Sequence, residues 1–169
     1  MNKINKTVGI IMAGGEGTRL FPATKVINKH LLPIYDKPMI FYPLSVLMLA
    51  EIRDILIICS ANHIDSFKKL LGNGNDLGID IKYKVQKNFN GIPEGIKIGK
   101  SFIGNNNLCL ILGDNLFYGQ GISETLILAK NSNKGATIFG YNIKDPENYG
   151  VAEMRKSKVI KITEKPKNF

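Results

Sequence analysis

A glycine-rich turn near the start of the chain has the composition of an anion-binding loop. Its glycines are Gly14, Gly15 and Gly17. Glycine lets the backbone adopt positive φ and lets N–H groups approach a phosphate closely. Thr18 and the cation Arg19 follow at once, but no Lys-Ser/Thr pair does, and Leu20 stands where a dinucleotide-binding motif has its third glycine. The turn is therefore neither of the two common phosphate loops, and taken alone it also fits an ordinary tight turn.

A carboxylate, Asp114, offers a second kind of chemistry. It follows the apolar residues 108–112 and comes directly after Gly113. A carboxylate at the tip of a buried strand commonly holds a divalent cation against substrate phosphates. The alternative is an aspartate that caps a turn or a helix. Arg19 and Lys29 are the cations that could accompany it, although isolated residues of both types usually lie on the protein surface.

Apolar segments alternating with helical ones predict the fold that positions these groups. Strands are expected at residues 8–13, 55–60, 83–86, 108–112 and 136–141. Helices are expected at residues 38–51, 64–71, 93–102 and 122–131. Continuously apolar strands are buried on both faces, and intervening helices indicate crossover connections. The prediction is an α/β sandwich with a mostly parallel central sheet, followed by a hairpin over residues 150–163.

This fold would gather the candidate groups at one edge of the sheet. In such sheets, ligands bind beyond the carboxyl ends of the strands. The glycine turn, Asp114 and Gln86 each follow a predicted strand. We therefore expect them to converge on one rim.

The composition limits the classes of protein to which this chain can belong. The 169 residues fit a single domain spanning residues 1–169, and 44% of them are hydrophobic. The net charge of +9 comes from scattered lysines, which favours polyanionic small substrates over nucleic acid. Cys59 and Cys109 lie in apolar segments without a metal-ligand pattern. With no signal peptide and no long apolar segment, the prediction is a cytoplasmic protein without a membrane partner.

The glycine turn is part of a longer pattern. Pro22, Thr24, Lys29 and the Leu-Leu-Pro of residues 31–33 follow it. This order resembles the signature G-G-x-G-T-R-L-x-P-x-T…K-x-L-L-P of the nucleotidyltransferases that make NDP-sugars. Within that family, residues 33–50, 112–119, 145–151 and 164–166 are similar to the thymidylyltransferases that act on glucose 1-phosphate. The resemblance runs from about residue 9 to the last residue.

The resemblance implies a fold, a reaction and a set of roles. The fold is the Rossmann-like nucleotidyltransferase sandwich, and the reaction makes dTDP-glucose and pyrophosphate from dTTP and glucose 1-phosphate with Mg²⁺. The implied catalytic residues are Arg19, Lys29 and Lys165. The implied nucleotide-binding residues are Gly14, Gly15, Gly17, Thr18, Gln86, Gly91 and Asp114, of which Asp114 also binds the metal. The implied sugar-binding residues are Tyr149, Gly150, Glu164 and Lys165.

One departure from the family pattern affects the expected base pocket, and a second concerns His30. The family typically has G-L-A-Q-A-F where residues 91–96 read G-I-P-E-G-I. Pro93 removes an N–H and Glu94 adds a charge near the base and ribose, so uracil or another base stays an alternative to thymine. His30 replaces a glutamine that is usual after the lysine, and we expect it to be structural.

Length is the largest departure. Family members run to nearly twice this size, and the resemblance implies that a sugar-binding strand, a second metal-binding aspartate and a helical assembly region are missing. Two functions therefore stay open: a nucleotidyltransferase, or a truncated, non-catalytic module that binds a nucleotide or a sugar phosphate. The expected protein partner is a second copy of the chain, or a separate chain that carries the missing half.

Overall fold

The computed structural model of the chain describes residues 6–88, 91–156 and 158–166. The chain divides into two compact units, of which the first ends at Ser132 and the second begins at Asn133. The single domain expected for residues 1–169 stays a prediction. Within the described ranges, every helix falls short of the length and apolarity that a membrane span requires.

The first unit is built on a four-stranded sheet. Its elements in chain order are β1 (Thr7–Ala13), β2 (Pro33–Ile34), β3 (Lys37–Pro38), α1 (Phe41–Leu49), β4 (Asp54–Cys59), α2 (Ile64–Leu71), β5 (Asp80–Val85), α3 (Ile92–Ile103), β6 (Asn107–Leu112) and α4 (Ile122–Ser132). The main sheet has the order β5-β4-β1-β6, and all three neighbouring pairs are parallel. The predicted α/β fold with a mostly parallel central sheet is confirmed.

Alternating side chains of the central strands build a core on each face of the sheet. Ile11 and Ile57 point to the face covered by α1, α2 and α4. Ile10 and Leu56 point to the opposite face, against α3. All four side chains are at most 1% exposed. Burial on both faces explains why these strands read as unbroken apolar segments.

Two glycines let α3 lie close to β1. A Cβ atom at Gly95 would clash with the Met12 sulfur, and one at Gly99 would lie 2.5 Å from Ile10 Cδ1. The helix begins directly after Gly91, whose φ of +80° favours glycine. The start of α3 is thereby held near the carboxyl end of the sheet.

A small hairpin changes the start of the first predicted helix. Pro33 pairs with Pro38 in the antiparallel β2–β3 ladder, so α1 begins at Phe41 and not at residue 38. Proline is common in the first turn of a helix, so its presence at residue 38 is compatible with either structure. Here its fixed φ serves an extended segment.

The second unit contains β7 (Gly150–Arg155) and β8 (Lys158–Glu164), which pair antiparallel. The predicted hairpin is confirmed. The strand predicted at residues 136–141 is wrong, because those residues lie in no strand of the described chain. Their β-branched and aromatic composition favours an extended backbone, but a strand also needs a paired neighbour, and no described strand pairs with them.

Candidate active site

The carboxyl ends of β1, β5 and β6 open into a cavity of about 260 Å³. Six of the residues singled out from the sequence line it: Gly14, Gly15, Lys29, Gln86, Gly91 and Asp114. They come from four separate segments of the chain. The parallel sheet brings these segments to one rim, as expected for this class of fold.

A larger cavity of about 550 Å³ adjoins the first. The two share the lining residues Gly14, Gly15 and Gln86. Lys25 and Lys87 line the larger one and add positive charge to its wall. The shared residues show that the two cavities are direct neighbours at the carboxyl end of the sheet.

The glycine turn is closed by contacts that require glycine at one position. Gly17 has a φ of +64°, and a Cβ there would lie 3.0 Å from Lys29 Cβ. The Thr24 hydroxyl, which belongs to a 6% exposed residue, donates a 2.7 Å hydrogen bond to the Gly17 carbonyl oxygen. The turn therefore packs against the segment that carries Lys29.

Lys29 and Asp114 form an ion pair at the cavity wall. Lys29 Nζ donates a 2.5 Å hydrogen bond to Asp114 Oδ2, across 85 residues of sequence. Partial burial opposes the charged form of Asp114, but the hydrogen bond and positive charge of Lys29 outweigh it and hold the pKa of this carboxyl below its ordinary value. Asp114 is therefore an ionised carboxylate at neutral pH.

This carboxylate fits a metal ion that the substrate also binds. Mg²⁺ usually keeps several waters and takes one or two carboxylates together with substrate phosphates. Among the described residues, no cluster of three or more His, Cys, Asp or Glu side chains could hold a metal unaided. Asp114 is thus suited to a shared metal site and not to a closed protein cage.

A buried hydrogen-bond network supports the lysine. Asn28 and His30 are 3% and 2% exposed. Asn28 Oδ1 accepts from the His30 backbone N–H at 2.9 Å and contacts His30 Nδ1 at 2.8 Å. Asn28 Nδ2 donates to the Ala13 carbonyl oxygen at 3.2 Å, at the end of β1. Lys29, which lies between the two, is therefore fixed relative to the sheet.

His30 is a neutral side chain in this setting. Burial is the main cause, and the positive charge of Lys29 adds to it, so that the pKa of His30 falls from 6.5 to about 4. Sequence reasoning missed Asn28. The available signal was an asparagine directly before a helical turn, here Lys29–Leu31, where an N-cap residue accepts a backbone hydrogen bond.

Gln86 and Gly91 also line this cavity. Gln86 is 4% exposed and its backbone N–H donates a 2.8 Å bond to the Cys59 carbonyl oxygen. Pro93 lies in the first turn of α3, where the missing N–H interrupts no helical hydrogen bond. The unusual 91–96 segment is therefore compatible with an intact helix, and Glu94 is half-buried within it.

Other expected site residues lie elsewhere. Thr18 and Arg19 are exposed in a helical turn, Thr18–Leu20, and are absent from the residues that line the two cavities in the described chain. Gly17 packs behind the cavity, against Lys29. The structure thus brings Lys29, but not Arg19, to the wall that carries Asp114.

The four expected sugar-binding residues converge within the second unit. Gly150 pairs with Glu164 where β7 begins and β8 ends. The Lys165 backbone N–H donates a 2.9 Å hydrogen bond to the Tyr149 carbonyl oxygen. Tyr149, Gly150, Glu164 and Lys165 therefore lie together at the open end of the hairpin.

Comparisons with known proteins agree with this arrangement. The model of the family described as nucleotidyl transferase matches residues 8–169. A glucose-1-phosphate thymidylyltransferase from Neisseria meningitidis is 55% identical over 159 residues, which cover 94% of this chain and 55% of that protein. One from Mycobacterium tuberculosis is 45% identical over 159 residues, with the same coverage of 94% and 55%.

Solved structures share the fold. A Bacillus anthracis protein assigned as a glucose-1-phosphate thymidylyltransferase, in complex with sucrose, has a TM-score of 0.88 and 39% identity, covering 96% of this chain and 65% of that one. A UDP-glucose pyrophosphorylase from Acinetobacter baumannii has a TM-score of 0.79 at 19% identity, again over 96% of this chain and 68% of the other. The second likeness concerns the fold alone.

The matches cover nearly all of this chain but only part of its relatives. The chain spans about half the length of the curated relatives it matches. The family match nevertheless covers both units, and the sheet, the glycine turn and the Asp114 rim all lie inside it. The chain belongs to the nucleotidyl transferase family.

Proposed function

We propose that this chain takes part in nucleotidyl transfer that forms dTDP-glucose and pyrophosphate from dTTP and glucose 1-phosphate. The observation that carries the proposal is the Lys29–Asp114 pair on the wall of a cavity shared with the glycine turn and Gln86. The names of the relatives at 45–55% identity support the choice of substrates.

The reaction asks little covalent chemistry of the protein. An oxygen of the sugar phosphate attacks the α-phosphorus of dTTP, the bond to the β-phosphate oxygen breaks, and pyrophosphate leaves. The protein contributes alignment and neutralisation of charge. The N–H groups of Gly14 and Gly15 border the cavity, where they would bind phosphate oxygens, and the Lys29 ammonium supplies a positive charge beside them.

Mg²⁺ is the cofactor in this proposal. Asp114, ionised and partly exposed, would hold it together with the triphosphate. When bound, the ion neutralises negative charge on the phosphates. Arg19 would hold the departing phosphates only after a movement of the exposed Thr18–Leu20 turn, because it lies outside the cavity lining described above.

The base and the sugar are assigned to different parts of the chain. Gln86 and Gly91 would contact the base edge, and both line the same cavity as Asp114. Tyr149, Gly150, Glu164 and Lys165 would bind the sugar phosphate, with Lys165 as the cation that neutralises it. Their convergence within the second unit supports a shared role. Thymine is the proposed base and uracil the alternative, because of the Pro93–Glu94 pair.

A binding module without turnover is the second candidate. It is favoured by one observation: in the described residues Asp114 belongs to no cluster of three metal-ligating side chains. Such a module would still bind dTTP at the glycine turn.

One experiment tests both functions. Pyrophosphate release from dTTP is measured with and without glucose 1-phosphate and Mg²⁺, and dTTP binding is measured by calorimetry, with UTP and dCTP in parallel. We expect release that needs both additions and a preference for dTTP. Binding without release would favour the module, and equal weak retention of all three nucleotides would contradict both. Lys100→Met, an exposed α3 lysine, is the control for nonspecific loss of charge.

The remaining parts of the proposal concern location and partners. Both cysteines are free thiols, which fits a cytoplasmic protein. A second copy of the chain, or a separate chain that completes the length of the relatives, is the proposed partner. Light scattering on the purified chain distinguishes a monomer from a homo-oligomer.

A further inference from the structure

The side-chain amide of Asn28 can be oriented in only one way. The backbone N–H of His30 can only donate, so the Asn28 atom 2.9 Å from it must be the carbonyl oxygen. The Ala13 carbonyl oxygen can only accept, so the Asn28 atom 3.2 Å from it must be the amide nitrogen. Two backbone groups of fixed polarity thus settle an assignment that is often ambiguous.

This orientation also determines where the proton of His30 lies. Asn28 Oδ1 is 2.8 Å from His30 Nδ1 and has no proton to give. Nδ1 must therefore carry the hydrogen. Because the buried ring is neutral, its other nitrogen, Nε2, keeps a free lone pair.

The lone pair lies at the ring edge that packs against Gly113, directly before Asp114. Nδ1 is turned towards Asn28, and the edge with Cδ2 and Nε2 lies against Gly113, where an added Cβ would be 2.6 Å from Cδ2 and 2.9 Å from Nε2. His30 lines the same cavity as Lys29 and Asp114. Any side chain at residue 113 would push this ring edge away from its place.

We propose that Asn28 is a positioning residue that fixes His30 as the Nδ1–H tautomer and thereby presents Nε2 as a hydrogen-bond acceptor on the cavity wall beside Asp114. An acceptor receives an O–H or N–H group of a ligand and repels a phosphate oxygen. The Nε2 position therefore takes an O–H or N–H group from the nucleoside or sugar part of a substrate, and the phosphates lie between the glycine turn, Lys29 and Asp114. The tautomer is independent of the proposed function; the ligand contact rests on it.

Nitrogen NMR of the histidine rings tests the tautomer directly. The full chain is labelled with ¹⁵N and studied at pH 7, and His30→Gln and His63→Gln assign the two rings. We expect Nδ1–H and an unprotonated Nε2 for His30 in the unsubstituted chain. If the unsubstituted chain shows His30 protonated on Nε2, the proposal is overturned by that spectrum alone.

Two substitutions test whether Asn28 determines the tautomer of His30. Asn28→Ala removes the acceptor, and we expect the single His30 tautomer to be replaced by a mixture or by Nε2–H. Asn28→Asp keeps an oxygen beside Nδ1, and we expect it to preserve the Nδ1–H form. The His63 ring in the same spectra should not change. If Asn28→Ala retains the pure Nδ1–H form, or if Asn28→Asp loses it, Asn28 does not set the tautomer.

Titration with ligands tests whether His30 Nε2 contacts a bound substrate. dTTP offers hydroxyl and base N–H donors, whereas inorganic tripolyphosphate offers only the phosphate chain. We expect dTTP to shift the Nε2 resonance and tripolyphosphate to leave it nearly unchanged. Equal shifts, or none when calorimetry shows that dTTP is bound, would overturn the ligand contact and leave the tautomer standing. Absence of dTTP binding by calorimetry would instead count against the proposed function.

Discussion

The two ends of the parallel sheet both carry lysines beside a cavity, but they use them differently. Towards the amino end, a cavity of about 640 Å³ is lined by Lys6, Lys68 and Lys82, and also by Lys84 from further along β5. Lys6 pairs with Asp54 at the start of β4. Lys84 Nζ donates to the Ile98 carbonyl oxygen at 2.8 Å and to Ser101 Oγ at 2.7 Å, which joins β5 to α3.

At the carboxyl end, the charged groups rest on a buried polar network. Asn28, His30 and Thr24 are each at most 6% exposed and form hydrogen bonds behind Lys29 and Asp114. Burying polar groups costs free energy unless they are fully hydrogen-bonded. Lysine content alone therefore does not separate the two ends. The supporting network does, because its buried hydrogen bonds tie the segment that carries Lys29 to the end of β1, beside Asp114.

The strongest test of this contrast compares two aspartates, one from each end. We expect Asp114→Asn to lower pyrophosphate release by about 100-fold or more, because it removes a charge at the reacting phosphates while keeping the shape. Asp54→Asn should leave pyrophosphate release unchanged. It should lower the free energy of unfolding by at most about 1 kcal/mol, because the ion pair that it removes is partly exposed. Mg²⁺-dependent dTTP binding gives a second readout. Equal effects of the two substitutions on pyrophosphate release would contradict the difference between the two cavities.

A pH experiment tests the buried network itself. The pKa of His30 is about 4 when folded and 6.5 ordinarily, so the unfolded chain binds more protons between these values. His30 therefore has no effect on stability above pH 6.5, and stability falls as pH decreases towards 4. Urea unfolding should show a loss of about 2 kcal/mol between pH 7 and pH 5 that is absent in His30→Gln. His63→Gln is the control and should keep the pH dependence; if His30→Gln keeps it too, His30 is not the cause.

The smallest effect belongs to the 640 Å³ cavity. Lys84→Met keeps the aliphatic stem and removes two hydrogen bonds to α3, so we expect a loss of about 1 kcal/mol in the free energy of unfolding and no change in dTTP affinity. Lys100→Met on the same helix serves as the control. A fall in dTTP affinity for Lys84→Met alone would show that this second cavity also serves the ligand.

The sheet and much of the rim could be predicted from the sequence because their signals are local. Apolar segments marked the four central strands, and the residues after three of them, Gly14, Gln86 and Asp114, line the cavity as the rule for parallel sheets requires. The prediction of a strand at residues 136–141 was wrong because a strand also needs a neighbouring strand to pair with, and local sequence does not show whether one is present. The Asn28–Ala13 bond spans 15 residues and the Lys29–Asp114 pair 85, so neither had a sequence signature.

The two glycines of α3 have a consequence for the proposed base pocket. With Gly95 and Gly99 pressed against Met12 and Ile10, the distance between helix axis and sheet is at its lower limit, and any larger residue at either position would lift the helix and carry Gly91 with it. Ile92 lines the cavity from the first turn of α3, so an exchange there would alter the lining while both glycines stay in place. If the base binds as proposed, its selectivity is open to redesign at that turn, provided that both glycines are retained.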